Sequence, residues 1–342
     1  MAFAPGVRFG PYDVTSILGR LLTAFALVST ALVIDSARPT LDGTQAGAYQ
    51  SANRSPYFGQ PVPGLTPQLF APDVVSTNAI ELNSVFSSDL KEFFFTRLID
   101  GTQTMFHSVL IDSAWSAPRE LLLFPGGTRA VADDMMVSYD GRELYFLGVH
   151  PHQHAAGKPT ADIWRSRKID GRWSTAEVLP PPISTGASEV YPVVVADGSL
   201  YFSSNRAGGV GRSSVYRAQR LGDGRFAEPE LVAGPINSEF GVGDPYVAPD
   251  ERYIVFSSSR PPSSGSGDLF VSFRGSNGAW EEPVHLGDTI NTNETEYCPM
   301  VTPDGKYLFF SRRQGPSFSQ ATAGDVYWVD ATILHQVRRQ RK

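Results

Sequence analysis

One cysteine, Cys298, stands in 342 residues, which excludes an intrachain disulfide framework and a multi-cysteine metal site and suggests a buried small side chain. Positive charge is also scarce: the formal net charge is −6, and the tail Arg338, Arg339, Arg341, Lys342 is too short to make a basic footprint, so nucleic-acid binding is rejected. Long apolar runs are absent apart from residues 21–34 (LLTAFALVSTALVI), between Arg20 and Asp35. At fourteen residues this run falls short of the about 20 of an ordinary membrane span but suits the core of an export signal. Residues 1–37 are therefore expected to be a signal peptide, with cleavage near Ala31 or Ala37, or else an uncut anchor, the only membrane attachment expected. Residues 38–55 read as a linker, 56–337 as the folded domain and 338–342 as a basic tail.

Several catalytic signatures are missing as well. There is no Gly-x-Ser-x-Gly elbow, no phosphate-binding Gly-rich loop ending in Lys and Ser or Thr, and no His-Glu-x-x-His. Ser138-Tyr139-Asp140-Gly141 has its glycine one place too early for a sialidase Asp box. The cluster His150-Pro151-His152-Gln153-His154 offers imidazoles but no nearby carboxylate to orient them, so a solvated loop is the reading preferred over a metal site. No cofactor is expected.

What the chain does contain is a repeat. ELNSVFSSDLKEFFFTR from Glu81 aligns with DDMMVSYDGRELYFLG from Asp133, EVYPVVVADGSLYFSSNR from Glu189, DPYVAPDERYIVFSSSR from Asp244 and EYCPMVTPDGKYLFFSRR from Glu296. The turn aspartates Asp89, Asp140, Asp197, Asp250 and Asp304 lie 51, 57, 53 and 54 residues apart by subtraction, the length of a propeller blade. Each copy predicts an inner strand, a turn such as Pro303-Asp304-Gly305, and an aromatic second strand. A third strand follows, marked by Asp162-Ile163-Trp164, Asp268-Leu269-Phe270 or Asp325-Val326-Tyr327, and then an outer strand whose proline implies an edge. The fifth copy lacks its outer strand and runs into a short helix over 331–337, while residues 66–77 (TPQLFAPDVVST) resemble the outer strand at 282–292 and can complete it. The expected fold is all-β: a five-bladed propeller of four-stranded blades closed by an N-terminal strand. A sixth blade is disfavoured because the 18 residues from 56 to 73 cannot hold one.

The Pro-Asp-Gly turns (Pro303-Asp304-Gly305; in part Asp140-Gly141, Asp197-Gly198 and Pro249-Asp250), the Phe-x-Ser-x-Arg strand ends and the Asp-φ-Tyr/Trp third strands resemble the PD40, or WD40-like, repeat family of TolB-type propellers. Ser88-Asp89-Leu90 and Asp250-Glu251 depart from its turn pattern. The resemblance implies an envelope or exported protein that binds a protein or glycan partner, often with no enzymatic role in the propeller.

Residues just before the inner strands should ring the mouth of the channel. Glu81, Glu189 and Glu296 fall at equivalent positions, Asn83, Asp134 and Asp244 two places further on, and Arg97, Arg206, Arg260 and Arg312 or Arg313 end the second strands. Ion pairs locking the blades are the preferred reading of these charges, and a ring holding a cation, sugar or other ligand is the functional one. Two functions follow: a non-catalytic binding module, or a carbohydrate-active hydrolase or lyase using the rim acids. The module is preferred, as a monomer.

Overall fold

The computed structural model describes residues 56–150, 160–263, 267–315 and 320–340, and the backbone of Arg8–Phe9 and Tyr12–Asp13, which pair antiparallel. The expected export signal at 21–34 and the linker at 38–55 lie outside the described residues, as do His152, His154 and the end of the basic tail. Among the described residues no helix is long and apolar enough to cross a membrane.

Five small antiparallel sheets form a five-bladed propeller. The inner strands are Glu81–Phe86, Val131–Val137, Glu189–Val194, Gly243–Val247 and Thr295–Val301, numbered here as blades 1 to 5. In blade 5 the order is Thr295–Val301, Tyr307–Gln314, Ala323–Asp330 and then Gln68–Leu69, so the N-terminal strand completes the last blade as its sequence likeness implied. The helix that follows is Thr332–Gln340, starting one residue later and ending three residues later than the apolar pattern suggested. Asp330 caps it by accepting the amide of Thr332 at 2.8 Å, and Arg338 ties it to Glu281 at 2.9 Å.

The recurring aspartate has a single local cause. In every inner hairpin its Oδ1 accepts the backbone N–H two residues on, from Lys91, Arg142, Ser199, Arg252 and Lys306. The intervening residue takes a positive φ, at Gly141, Gly198 and Gly305 but also at Leu90 (57°) and Glu251 (55°). The two turns that depart from the family pattern therefore keep the same geometry, because the aspartate's bond dictates it and the glycine only makes it cheap.

Each inner strand also carries a bulge, with register shifts between Leu82 and Ser84, around Asp134, and between Val190 and Val193, Gly243 and Tyr246, and Tyr297 and Met300. One residue per blade has a left-handed backbone there: Asn83, Asp134, Tyr191, Asp244 and Cys298, with φ between 44° and 53°. An extra residue re-aims a side chain and bends the strand, and here it does so five times around one axis.

Neighbouring blades are stitched by backbone. Glu189 donates its N–H to Ala161 at 2.8 Å, Glu296 donates to Gly267 at 3.0 Å, and Ile80 bridges to Gly324. Tight packing behind these seams leaves no spare volume: a Cβ on Gly148 would stand 2.5 Å from Trp164 and 2.9 Å from Phe124. Gly148→Ala is expected to cost about 1–3 kcal/mol by overpacking, read as a lower urea midpoint at unchanged slope.

Candidate functional site

Glu81, Glu189 and Glu296 are fully buried, and each sits in the same latch. A threonine four residues earlier donates both its backbone N–H and its hydroxyl: Thr77 at 3.0 and 2.6 Å, Thr185 at 3.0 and 2.7 Å, Thr292 at 3.0 and 2.7 Å. Arg97, Arg206 and Arg312 complete the ion pairs at 2.7, 3.1 and 2.7 Å. Each arginine also donates to a carbonyl of the loop leading into its inner strand, from Val74 and Val75, Pro182 and Ile183, or Ile290. The latch thus clamps that loop onto its own blade, with every glutamate oxygen already accepting a hydrogen bond. Burial raises Glu189 and Glu296 above the usual carboxylate range, opposed by the threonine and arginine donors.

Arg260 is built differently. Its blade has Val242 where blades 1, 3 and 5 have glutamate, and its guanidinium donates to the carbonyls of Pro235 (3.0 Å) and Ile236 (2.5 Å) and to Ser258 (3.3 Å). Desolvation lowers its pKa. Arg313, beside Arg312, is buried and donates to Gly315 and Thr295.

Asp134 and Asp244 do not share a rim with the three glutamates. They belong to the ring of bulge residues deeper on the axis, where both are 1% exposed. Asp244 accepts from Ser257 Oγ at 2.9 Å, and burial, with Asp133 nearby, pushes it up to about 7. Asp133 accepts from Gln103 Nε2 at 2.6 Å. Tyr191, the bulge residue of blade 3, donates its hydroxyl to the Pro299 carbonyl of blade 5 at 2.9 Å, joining two blades that are not neighbours in the ring. A rim was expected because these residues were read as preceding the inner strands; both lie inside them, at the bulge, and an interior was found.

At the hairpin-turn end of the axis an apolar recess is lined by Val85, Met136, Tyr139, Tyr246, Val247 and Met300. The residues preceding four of the turn aspartates, Ser88, Tyr139, Pro249 and Pro303, form its wall. All five turn aspartates are exposed around it, together with Lys91, Arg142, Arg252 and Lys306, and Tyr139 is 40% exposed.

His150 is buried, with its Nε2 3.3 Å from the Thr128 hydroxyl. Among the described residues no group of three His, Cys, Asp or Glu side chains is placed to hold a metal ion. Sequence reasoning missed Thr77, Thr185 and Thr292, although a threonine four places before each glutamate is visible in all three copies. It also missed Tyr191, for which no local signal exists.

No family model matches the chain, and neither does any curated protein. Among solved structures the chain is similar to TolB from Acinetobacter baumannii (12% identity, TM-score 0.44), covering 75% of this chain but only 59% of that one. It is also similar to an α-L-arabinofuranosidase from Lactobacillus brevis (12% identity, 74% and 91% covered, TM-score 0.46). A third likeness is to an α-L-arabinofuranosidase catalytic domain from Coprinopsis cinerea (11% identity, 78% and 94% covered, TM-score 0.47).

Proposed function

We propose that this chain is an exported, non-catalytic propeller of the PD40 type that presents its hairpin-turn face to a protein of the cell envelope. The observation that carries the reading is the axial recess, an apolar centre of valine, methionine and tyrosine within a ring of exposed aspartates and basic residues. An apolar centre surrounded by a polar rim is the anatomy of a protein interface. The reading is further supported by the latches, since the three glutamates proposed for a hydrolase already have every oxygen engaged within their own blades.

A second reading, an oligosaccharide hydrolase or lyase, is favoured by Asp244, an acid poised near neutrality beside Asp133. A photo-crosslinking residue placed at Tyr139 of the full chain, with one at the exposed outer turn residue Asp223 as control, separates the two. A discrete protein adduct from position 139 alone is expected. Turnover of an oligosaccharide panel that disappears in Asp244→Asn would overturn the binding reading.

A further inference from the structure

The axial recess is too small to receive a side chain: its free volume is about 20 Å3, room for a single water. Ligand-sized space lies beside it. Tyr139, on the wall of the recess, also stands on the wall of a groove of about 750 Å3 that follows the seam between blades 2 and 3, a volume within the range of ordinary ligand sites. One side is the blade 2 turn with Ser138, Asp140 and Arg142, and the other is the blade 3 turn with Ala196, Asp197 and Gly198. Ile169, exposed at the outer hairpin of blade 2, lines the groove away from the axis. Inner turn and outer hairpin are two strand spacings apart, about 10 Å, the reach of about three extended residues.

Elsewhere on this face the chain covers itself. The Tyr57 ring lies 4.8 Å from Tyr307 of blade 5 and 5.5 Å from Phe86 of blade 1, and the helix Thr332–Gln340 rests on blade 4 through His335 and Phe273. The groove, by contrast, is lined by blades 2 and 3 alone.

Its charges are unevenly committed. Glu143 takes Arg220 at 3.1 Å, Arg165 at 3.3 Å and the Tyr145 hydroxyl at 2.7 Å. Gly198 makes room for this, since a Cβ there would stand 2.9 Å from Arg220 Cδ. Asp197 takes Arg217 at 3.0 Å, and Asp140 takes the Ser138 hydroxyl at 2.6 Å. Lys168 is held by Glu92, and Arg167, with half its side chain exposed, by the equally exposed Glu177 at 2.8 Å. Arg142 differs: it is exposed, and among the described residues its guanidinium makes no hydrogen bond, although Asp140 is near enough to feel its charge. A carboxylate arriving in the groove meets Arg142 without breaking any existing pair, whereas an arriving cation meets carboxylates that are already engaged.

We propose, resting on the protein-binding reading above, that the partner contributes an acidic segment in extended conformation, laid along the blade 2–3 groove with a carboxylate on Arg142 and apolar side chains on Tyr139 and Ile169. Arginine presents a fixed fork that suits a carboxylate. The two apolar residues at the inner and outer turns set the direction in which the segment lies.

The test is fluorescence anisotropy of the full chain with two labelled synthetic heptapeptides, one of alternating aspartate and leucine and one with lysine in place of aspartate. The acidic peptide is expected to bind at least about tenfold more tightly than the basic one, and Arg142→Glu to weaken it by about tenfold or more, the loss of a charge-assisted hydrogen bond. Arg225→Glu, at a 77% exposed arginine outside the groove, should leave binding unchanged. Should Arg142→Glu fold poorly, the salt dependence of wild type is the second readout, with binding weakened in about 0.5 M salt by screening. No binding of the acidic peptide, equal binding of both, or indifference to Arg142→Glu or to salt would overturn the proposal. Any of these alongside a crosslinked adduct from position 139 removes the acidic segment and leaves the protein-binding reading standing; without that adduct both fall.

Discussion

Phe70→Ala is expected to destabilise the protein by about 3–5 kcal/mol, the cost of emptying a buried aromatic site that cannot collapse. Phe70 follows the closing strand Gln68–Leu69, is fully buried, and donates its backbone N–H to Val326 at 2.9 Å. Its ring meets Phe309 at 4.7 Å and Trp328 at 5.3 Å on blade 5, and Phe93 at 5.4 Å and Phe86 at 6.2 Å on blade 1. One side chain therefore joins the last blade to the first. The residues before it extend the join: Phe58 stacks on Trp115 at 4.4 Å, and the Tyr57 hydroxyl donates to Asp304 at 2.8 Å. Guanidinium unfolding followed by tryptophan fluorescence measures the loss. A cost below about 1 kcal/mol, the range of an ordinary surface change, would mean that the N-terminal strand decorates a ring already closed without it.

Arg97→Met should be similarly costly, about 3–5 kcal/mol, because it strands a buried charge. Glu81 has no exposed side-chain surface and Arg97 only 17%, so water cannot replace the guanidinium without opening the blade. The prediction has two internal checks. Glu81→Gln in the same chain should return much of the loss, a coupling that a double-mutant cycle reads directly. The single variant should also recover on acidification, since Glu81 without its partner is favoured protonated and the folded state then binds more protons than the unfolded one. Arg260→Met supplies the contrast: it removes hydrogen bonds to carbonyls and to Ser258 but strands no carboxylate, so its loss should be smaller and flat with pH.

The turn aspartates, the blade spacing and the likeness of 66–77 to an outer strand were legible in the chain because each rests on contacts within a few residues or on repetition of one pattern. The equivalence of Glu81, Glu189 and Glu296, and of Asn83, Asp134 and Asp244 two places on, was legible for the same reason. Their surroundings were not. The glutamates' partners, Arg97, Arg206 and Arg312, lie 16 or 17 residues away across a hairpin, and the choice between pairing them and leaving both for a ligand depends on side-chain distances that spacing does not encode. Asp134 and Asp244 were expected at a rim because they were read as lying just before the inner strands, whereas both lie within those strands, at the bulge.

What the sequence by itself determined is the blade: its four strands, its aspartate turn, its length and the N-terminal segment that completes the fifth copy. Those are properties of local hydrogen bonding, of period-two patterning and of chain length. What only the tertiary structure decided is the meaning of the charges. Folding paired Glu81, Glu189 and Glu296 with Arg97, Arg206 and Arg312 inside their own blades, joined Tyr191 of blade 3 to Pro299 of blade 5, and left the apolar recess on the hairpin-turn face. Electrostatic energies depend on distance and desolvation, and both exist only once the ring has closed.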